Sequence, residues 1–218
     1  MTTNMQTFKD ILEIIYFVSG PIIAFFAFKA LGQIKEAKKQ VSETKESRIV
    51  SSKREAYKIA ADKCDCFMAT IIPLINNLDK AVRENEITFF EKSIVEISND
   101  GIKVKPRFKD KEEIDKVFGL PNLELFNPLE SFSLFFASGV ADENIGYLTI
   151  GQTYCSSVRR FLPLIVMLSK DKHFVNILYL FRIWNSRIEK EKLEKEKKRI
   201  DKELLENKDY SIKSIGTE

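Results

Sequence analysis

The chain has one histidine, His173, and three cysteines, Cys64, Cys66 and Cys155. A single imidazole excludes any mechanism that needs two. A thiol nucleophile needs a neighbouring base, and no local spacing joins His173 to a cysteine. Cys64-x-Cys66 is not a zinc-ligand spacing. Cys64 also falls on an apolar stripe, where cysteine acts as a small hydrophobe. Arg159 and Arg160 are adjacent on a predicted helix, more than ten residues before His173. Arg160 and His173 are candidate catalytic residues that would have to converge from different helices, and a cysteine paired with His173 would likewise have to meet it through the fold. The sequence contains no G-x-x-x-x-G-K-S/T, G-x-G-x-x-G, G-x-S-x-G or H-E-x-x-H. No metal and no cofactor are expected, and the balance leans away from an enzyme.

The most polar of the core helices spans residues 142–170. Tyr147, Thr149, Gln152, Thr153, Ser156, Ser157 and Arg159 alternate there with apolar neighbours. Such a face can line a ligand pocket, form an interface, or simply meet water. Trp184 and Asn185, in "RIWNSR", are candidates to pack against it. Trp beside Arg is common at interfaces but equally ordinary in a core.

The elements that would hold these residues are helical. Leu, Ile, Lys and Glu are abundant, with 8 Gly and 6 Pro in 218 residues. Tyr57, Ala60, Cys64, Phe67, Ile71, Leu74, Leu78 and Ala81 recur at three and four, the stripe of one long helix with a kink expected at Pro73. The period then becomes two: Val95 and Ile97, then Ile102 and Val104, around the turn "SNDG". That predicts a β-hairpin at about 93–106, with Gly101 free to take positive φ. Its second arm is basic (Lys103, Lys105, Arg107, Lys109), which suits a phosphate backbone, a partner, or a solvated edge strand protected from aggregation. Helices then resume: one capped by Asp110, one broken near Pro128 and closed by Gly139, and one capped by Asp142. A last helix starts at about Lys172. From Arg187 to Lys208 charge dominates, with Ile188, Leu193, Ile200 and Leu204 among the few interruptions. Such a segment is solvated and supported by pairs four apart, or forms a weak coiled coil with a second copy.

The other end of the chain is oil. From Ile11 to Phe28 the only charge is Glu13, and about 18 such residues approach the ~20 that cross a bilayer core. Tyr16 and Lys29 fit the two interfaces. The start has one basic residue, Lys9, and no small-residue cleavage site follows, so the segment is expected to stay as an anchor. Between Lys29 and Arg54 there are eight basic and three acidic residues. Positive flanks stay inside, so the N-terminus should face out and the bulk of the chain should be cytoplasmic. Three cysteines without a disulfide framework agree with a reducing compartment. The Lys and Ile bias suits an AT-rich bacterial genome, hence an inner membrane. The basic collar can also meet anionic lipid.

Every third and fourth residue from Glu13 gives one line through this segment. Within the span it collects Gly20, Ala24 and Ala27, and beyond it Leu31, Ile34 and Val41. Small residues allow close helix approach in lipid, and the later three resemble a short coiled-coil seam. The line predicts self-association as a dimer or ring; the small residues are also ordinary membrane composition. Pro21 is expected to kink the span, and Glu13 is cheaper in a bundle or at headgroups than facing lipid. The domains expected are an external tail (1–10), a span (11–31), a basic juxtamembrane helix (32–52), a cytosolic helical bundle (53–188) and a charged helical tail (189–218).

"YFVSGPIIAFFAFKALGQIKEAKKQ", followed by "KREAYKIAADKC", resembles in layout a group of bacterial membrane proteins. These have one N-terminal span, a basic juxtamembrane helix and a cytosolic helical domain, and some belong to anti-phage systems. The layout also resembles the membrane-pore accessory proteins of RNA-targeting CRISPR nucleases, which carry a HEPN-like domain and assemble as rings. HEPN nucleases carry Arg and His four to six residues apart on one helix. No His follows Arg159 or Arg160 at that spacing, so no catalytic residue is carried over. The resemblance implies an oligomeric membrane effector whose cytosolic domain binds or senses a partner and passes the change to the membrane. A tethered HEPN-like RNase, with nucleic acid as partner, and a passive scaffold are the alternatives.

Overall fold

The computed structural model describes residues 2–98 and 101–206. The fold is mainly α with one small hairpin, as the sequence predicts. It divides into two units, Met1–Arg54 and Glu55–Glu218, each taken by itself.

The first unit is helical from Thr2 and belongs to α1 (Thr2–Cys66). Pro21 lies inside α1 without ending it. Among the described side chains from Phe8 to Arg54, all are exposed except half-buried Ser19. Ser19 Oγ donates to the Tyr16 carbonyl at 3.0 Å. Among the described residues, therefore, no protein surface covers the segment rich in Phe and Ile. Among the described residues, one helix, near the N-terminus, is long and apolar enough to cross a membrane.

In the second unit the apolar stripe enters the core through Ala60, Cys64, Phe67 and Ile71. A five-residue π-helical turn, Phe67–Ile71, separates α1 from α2 (Ile72–Glu84), and the Ile72 N–H bonds the Phe67 carbonyl five residues back. Pro73 sits in the first turn of α2, where its missing N–H matters least. Beyond the turn Leu78 is buried as expected, Leu74 and Ala81 are half-buried against the core, and Ile75 joins them as a buried residue. Tyr57 is exposed, so the buried stripe begins one turn later than its periodicity suggests.

A single turn, α3 (Phe89–Lys92), leads into β1 (Ile94–Ser98) and β2 (Gly101–Lys105). They pair antiparallel, Val95 opposite Val104 and Ile97 opposite Ile102. This puts the four alternating apolar residues on one face, and Val95 and Ile102 pack on the core. Gly101 has φ +145°; Asn99 and Asp100 of the expected turn lie outside the described residues. The basic arm is partly neutralised, since Lys105 Nζ bonds Glu96 at 2.9 Å.

The core is built by α5 (Asn122–Ala137), α6 (Glu143–Leu168) and α7 (Val175–Glu206), with α4 (Lys111–Gly119) beside them. The expected caps are present: Asp110 accepts from the Glu113 N–H at 2.8 Å and Asp142 from the Ile145 N–H at 2.9 Å. Gly139, past the end of α5, has φ +73°. The expected break near Pro128 is absent; α5 runs through it. Buried Leu125, Phe126, Leu129 and Phe132 hold both halves of that helix to the core, which outweighs the ~3 kcal/mol a mid-helix proline costs. An aromatic series links the helices: Phe67 to Phe132 at 5.1 Å, Phe132 to Tyr154 at 5.7 Å, and Tyr154 to Trp184 at 5.0 Å between ring centres. Gly146 lets α5 approach α6, since a Cβ there would overlap the Phe136 ring. α7 begins at Val175, three residues after the expected start, because Lys172 (φ +65°) and Phe174 (φ +57°) are left-handed. The Glu130 carboxylate caps α7, accepting from the Asn176 and Ile177 N–H groups at 3.1 and 2.9 Å. "RIWNSR" lies inside α7 and not at a turn, and Trp184 is a core residue.

Candidate functional site

Arg83 lies in the last turn of α2, and Arg159 and Arg160 lie on α6. Near these three guanidinium groups the surface opens into a cleft of about 480 Å³. Its apolar lining is Val82, Ile87, Phe90 and Phe161. Ile87 and Phe161 are buried, and the Phe90 ring meets Phe161 edge-on at 5.5 Å. Ser156, Asp79 and Glu91 supply the remaining polar wall.

The arginines differ in how they are held. Arg160 Nη1 pairs with Asp79, whose side chain is largely buried. Arg159 Nη2 donates to buried Asn185 Oδ1 and lies 3.4 Å from Glu189. Arg83 is exposed and makes no ion pair or side-chain hydrogen bond among the described residues. Arg159 also borders a second cleft of about 720 Å³, shared with Ser98, Tyr179 and Arg182. The polar face of α6 is thus split in use. Thr149, Gln152 and Thr153 meet solvent, while Ser156 and Arg159 line clefts.

The structure does not bring Arg160 and His173 together. His173 is exposed in the turn before α7, lining a separate hollow with Asn127, Glu130 and Phe174. Cys64 and Cys155 are not placed as nucleophiles. Cys64 and Cys155 are buried and Cys66 is exposed, all three free. Burial pushes the Cys155 thiol up to about 12, against a smaller downward pull from Arg159; burial likewise raises Cys64, opposed by a hydrogen bond from Thr149. Thiols so shifted stay protonated. Trp184 and Asn185 do pack on α6. The indole N–H donates to Glu143 Oε1 at 2.5 Å, and Arg187 bonds Glu143 Oε2 at 2.9 Å while lying 4.3 Å from the Tyr147 ring centre. Arg187 therefore belongs to the packed domain and not to the solvated tail. Beyond it, pairs such as Lys190–Glu194 and Lys202–Glu206 decorate α7, with Leu193, Ile200, Leu204 and Leu205 exposed.

In the first unit, Gly20, Ala24, Ala27, Leu31, Ile34 and Val41 are all exposed. Nothing lies within 4 Å of where a Gly20 Cβ would be. Ala24 lines a shallow groove walled by Pro21, Phe25, Phe28 and Lys29, the shape that small residues flanked by large ones leave on a helix.

Glu113 is a functional-looking residue that sequence reasoning passes over. Buried, its Oε1 accepts from the Thr88 N–H, the Thr88 hydroxyl and the Phe89 N–H, and its Oε2 from the Lys109 N–H. Four donors make it a structural clasp and not an open acid. The shared-cleft arginines had one sequence signal, the adjacent Arg159–Arg160 pair; Arg83 had none.

Comparison with protein-family models, with characterised proteins and with solved structures finds no match.

Proposed function

We propose that the chain is a bacterial inner-membrane protein that associates with itself through its N-terminal helix and presents the helical domain to a cytoplasmic partner. One observation carries this reading. The apolar segment is uncovered, with Phe25 60% and Phe28 81% exposed, and a surface that apolar needs lipid or another protein. The basic flank from Lys29 to Arg54 supports the cytoplasmic placement of the domain. Gly20, Ala24 and Ala27 carry the self-association, because small side chains let helix backbones approach in lipid. In its strongest form the assembly is a ring that opens a pore, as in anti-phage effectors of this layout.

The test is mass in detergent by light scattering, with membrane fractionation in parallel. The wild-type chain is expected to be oligomeric and to stay in the membrane pellet after an alkaline wash. Gly20→Leu with Ala24→Leu should give monomers that still pellet. A monomeric wild type, or a variant of unchanged mass, removes the association; recovery in the wash removes the anchor. Leakage of trapped dye from liposomes by the wild type but not the variant is the expected result for a pore.

A further inference from the structure

We propose that the cleft bounded by α2, α3 and α6 binds a small organic phosphate with an aromatic body, of mononucleotide size. The site belongs to the unit Glu55–Glu218 and holds whether or not the N-terminal helix assembles.

Charge, shape and size point to the same ligand class. Three guanidinium groups line the cleft with two carboxylates, Asp79 and Glu91; Arg160 is paired with Asp79 and Arg159 lies 3.4 Å from Glu189, so the uncompensated positive charge that draws an anion is that of Arg83. Asp79 is already engaged by Arg160 and Asn185 by Arg159. Those two arginines are therefore held in place before a ligand arrives, which lowers the ordering cost of binding. Among the described residues Arg83 has no ion-pair partner to give up. Guanidinium forks match phosphate oxygens two at a time, which an ammonium group cannot do. Below the charges, Phe90 offers a half-buried ring and Val82 an aliphatic surface. Inorganic phosphate alone would leave that apolar floor wet; a flat aromatic group covers it. A volume of about 480 Å³ lies in the range of small-molecule sites, and is too small for a folded partner.

The test is calorimetric titration of the full chain in detergent micelles with adenosine and guanosine monophosphates, and separately with inorganic phosphate. A nucleotide is expected to saturate one site per chain, at least ~10-fold tighter than phosphate. Arg83→Ala should weaken it about 10-fold or more, the usual loss for one charge-assisted bond, and Arg83→Lys should recover only part. Arg83 is exposed and makes no ion pair or side-chain hydrogen bond among the described residues, so an unchanged melting temperature accompanies the loss. Phe90→Leu should weaken the nucleotide and leave inorganic phosphate unaffected. No saturable binding below about 1 mM, equal affinity for phosphate and nucleotide, or unchanged affinity in Arg83→Ala each overturns the proposal. A single-stranded RNA oligonucleotide binding tenfold or more tighter than either mononucleotide overturns it in favour of a strand.

Discussion

Glu113 shows how one side chain can join segments that local sequence does not connect. Its donors, Thr88 and Phe89, are 25 and 24 residues away. Burial pushes its carboxyl up, but the N–H groups of Lys109, Thr88 and Phe89 and the Thr88 hydroxyl together outweigh this, and the net shift is downward from 4.5. A carboxyl lower in the folded than in the unfolded chain contributes stability above the unfolded value and loses it as pH falls through the folded one. The melting temperature of the domain should therefore fall as pH drops below about 4.5. Glu113→Gln should start lower at neutral pH and show a flatter acid limb; parallel curves for the two proteins would exclude the clasp. Glu113→Ala should cost roughly 2–4 kcal/mol in denaturant unfolding, because several buried N–H donors lose their acceptor. Asp110, three residues before its donor, is readable in the sequence because a cap is a local pattern. Glu113 is not, because its role exists only once α3 and α4 have met.

At the level of the elements, the periods of three-four and two are legible wherever one face is buried and the other wet. The hairpin is the clearest case, since a two-residue period on Val95, Ile97, Ile102 and Val104 permits only one facing. Prolines are less legible. Pro73 and Pro128 are the same residue type in similar apolar runs, yet the first follows a π-helical turn and the second sits in an unbroken helix. What separates them is the tertiary packing of α5, which no local window contains. Pro128 leaves the Glu124 carbonyl without its helical N–H donor. Pro128→Ala should restore that bond and raise unfolding stability by about 1–2 kcal/mol, measured by urea denaturation. A loss instead would mean that the ring itself fills core volume. The start of α7 differs from its sequence expectation for a related reason. Lys172 and Phe174 take left-handed φ without glycine, just before the Asn176 and Ile177 N–H groups that Glu130 of α5 accepts from, and neither type announces such a turn.

At the scale of the whole molecule, composition separates an oily, basic-flanked helix from a domain with its own core, and the structure divides the chain at Arg54 and Glu55. The cleft was only half legible, because Arg83 and Arg160 are far apart in sequence and meet through the packing of α2 on the rest of the bundle. Cysteine accessibility gives a direct check on topology. Cys66 is exposed while Cys64 and Cys155 are buried, so the native chain should take one maleimide. With a membrane-impermeant reagent, intact spheroplasts should leave Cys66 unlabelled and permeabilised ones should label it. Labelling of intact spheroplasts would place the domain outside and reverse the orientation proposed.

Trp184 is the chain's single tryptophan, fully buried against Phe136, Tyr147 and Tyr154. Its emission is therefore a one-site optical reporter of the place where α5, α6 and α7 meet. No other indole contributes, so the melting of the helical domain can be followed in the intact chain, in micelles or vesicles, without removing the oily helix or attaching a dye.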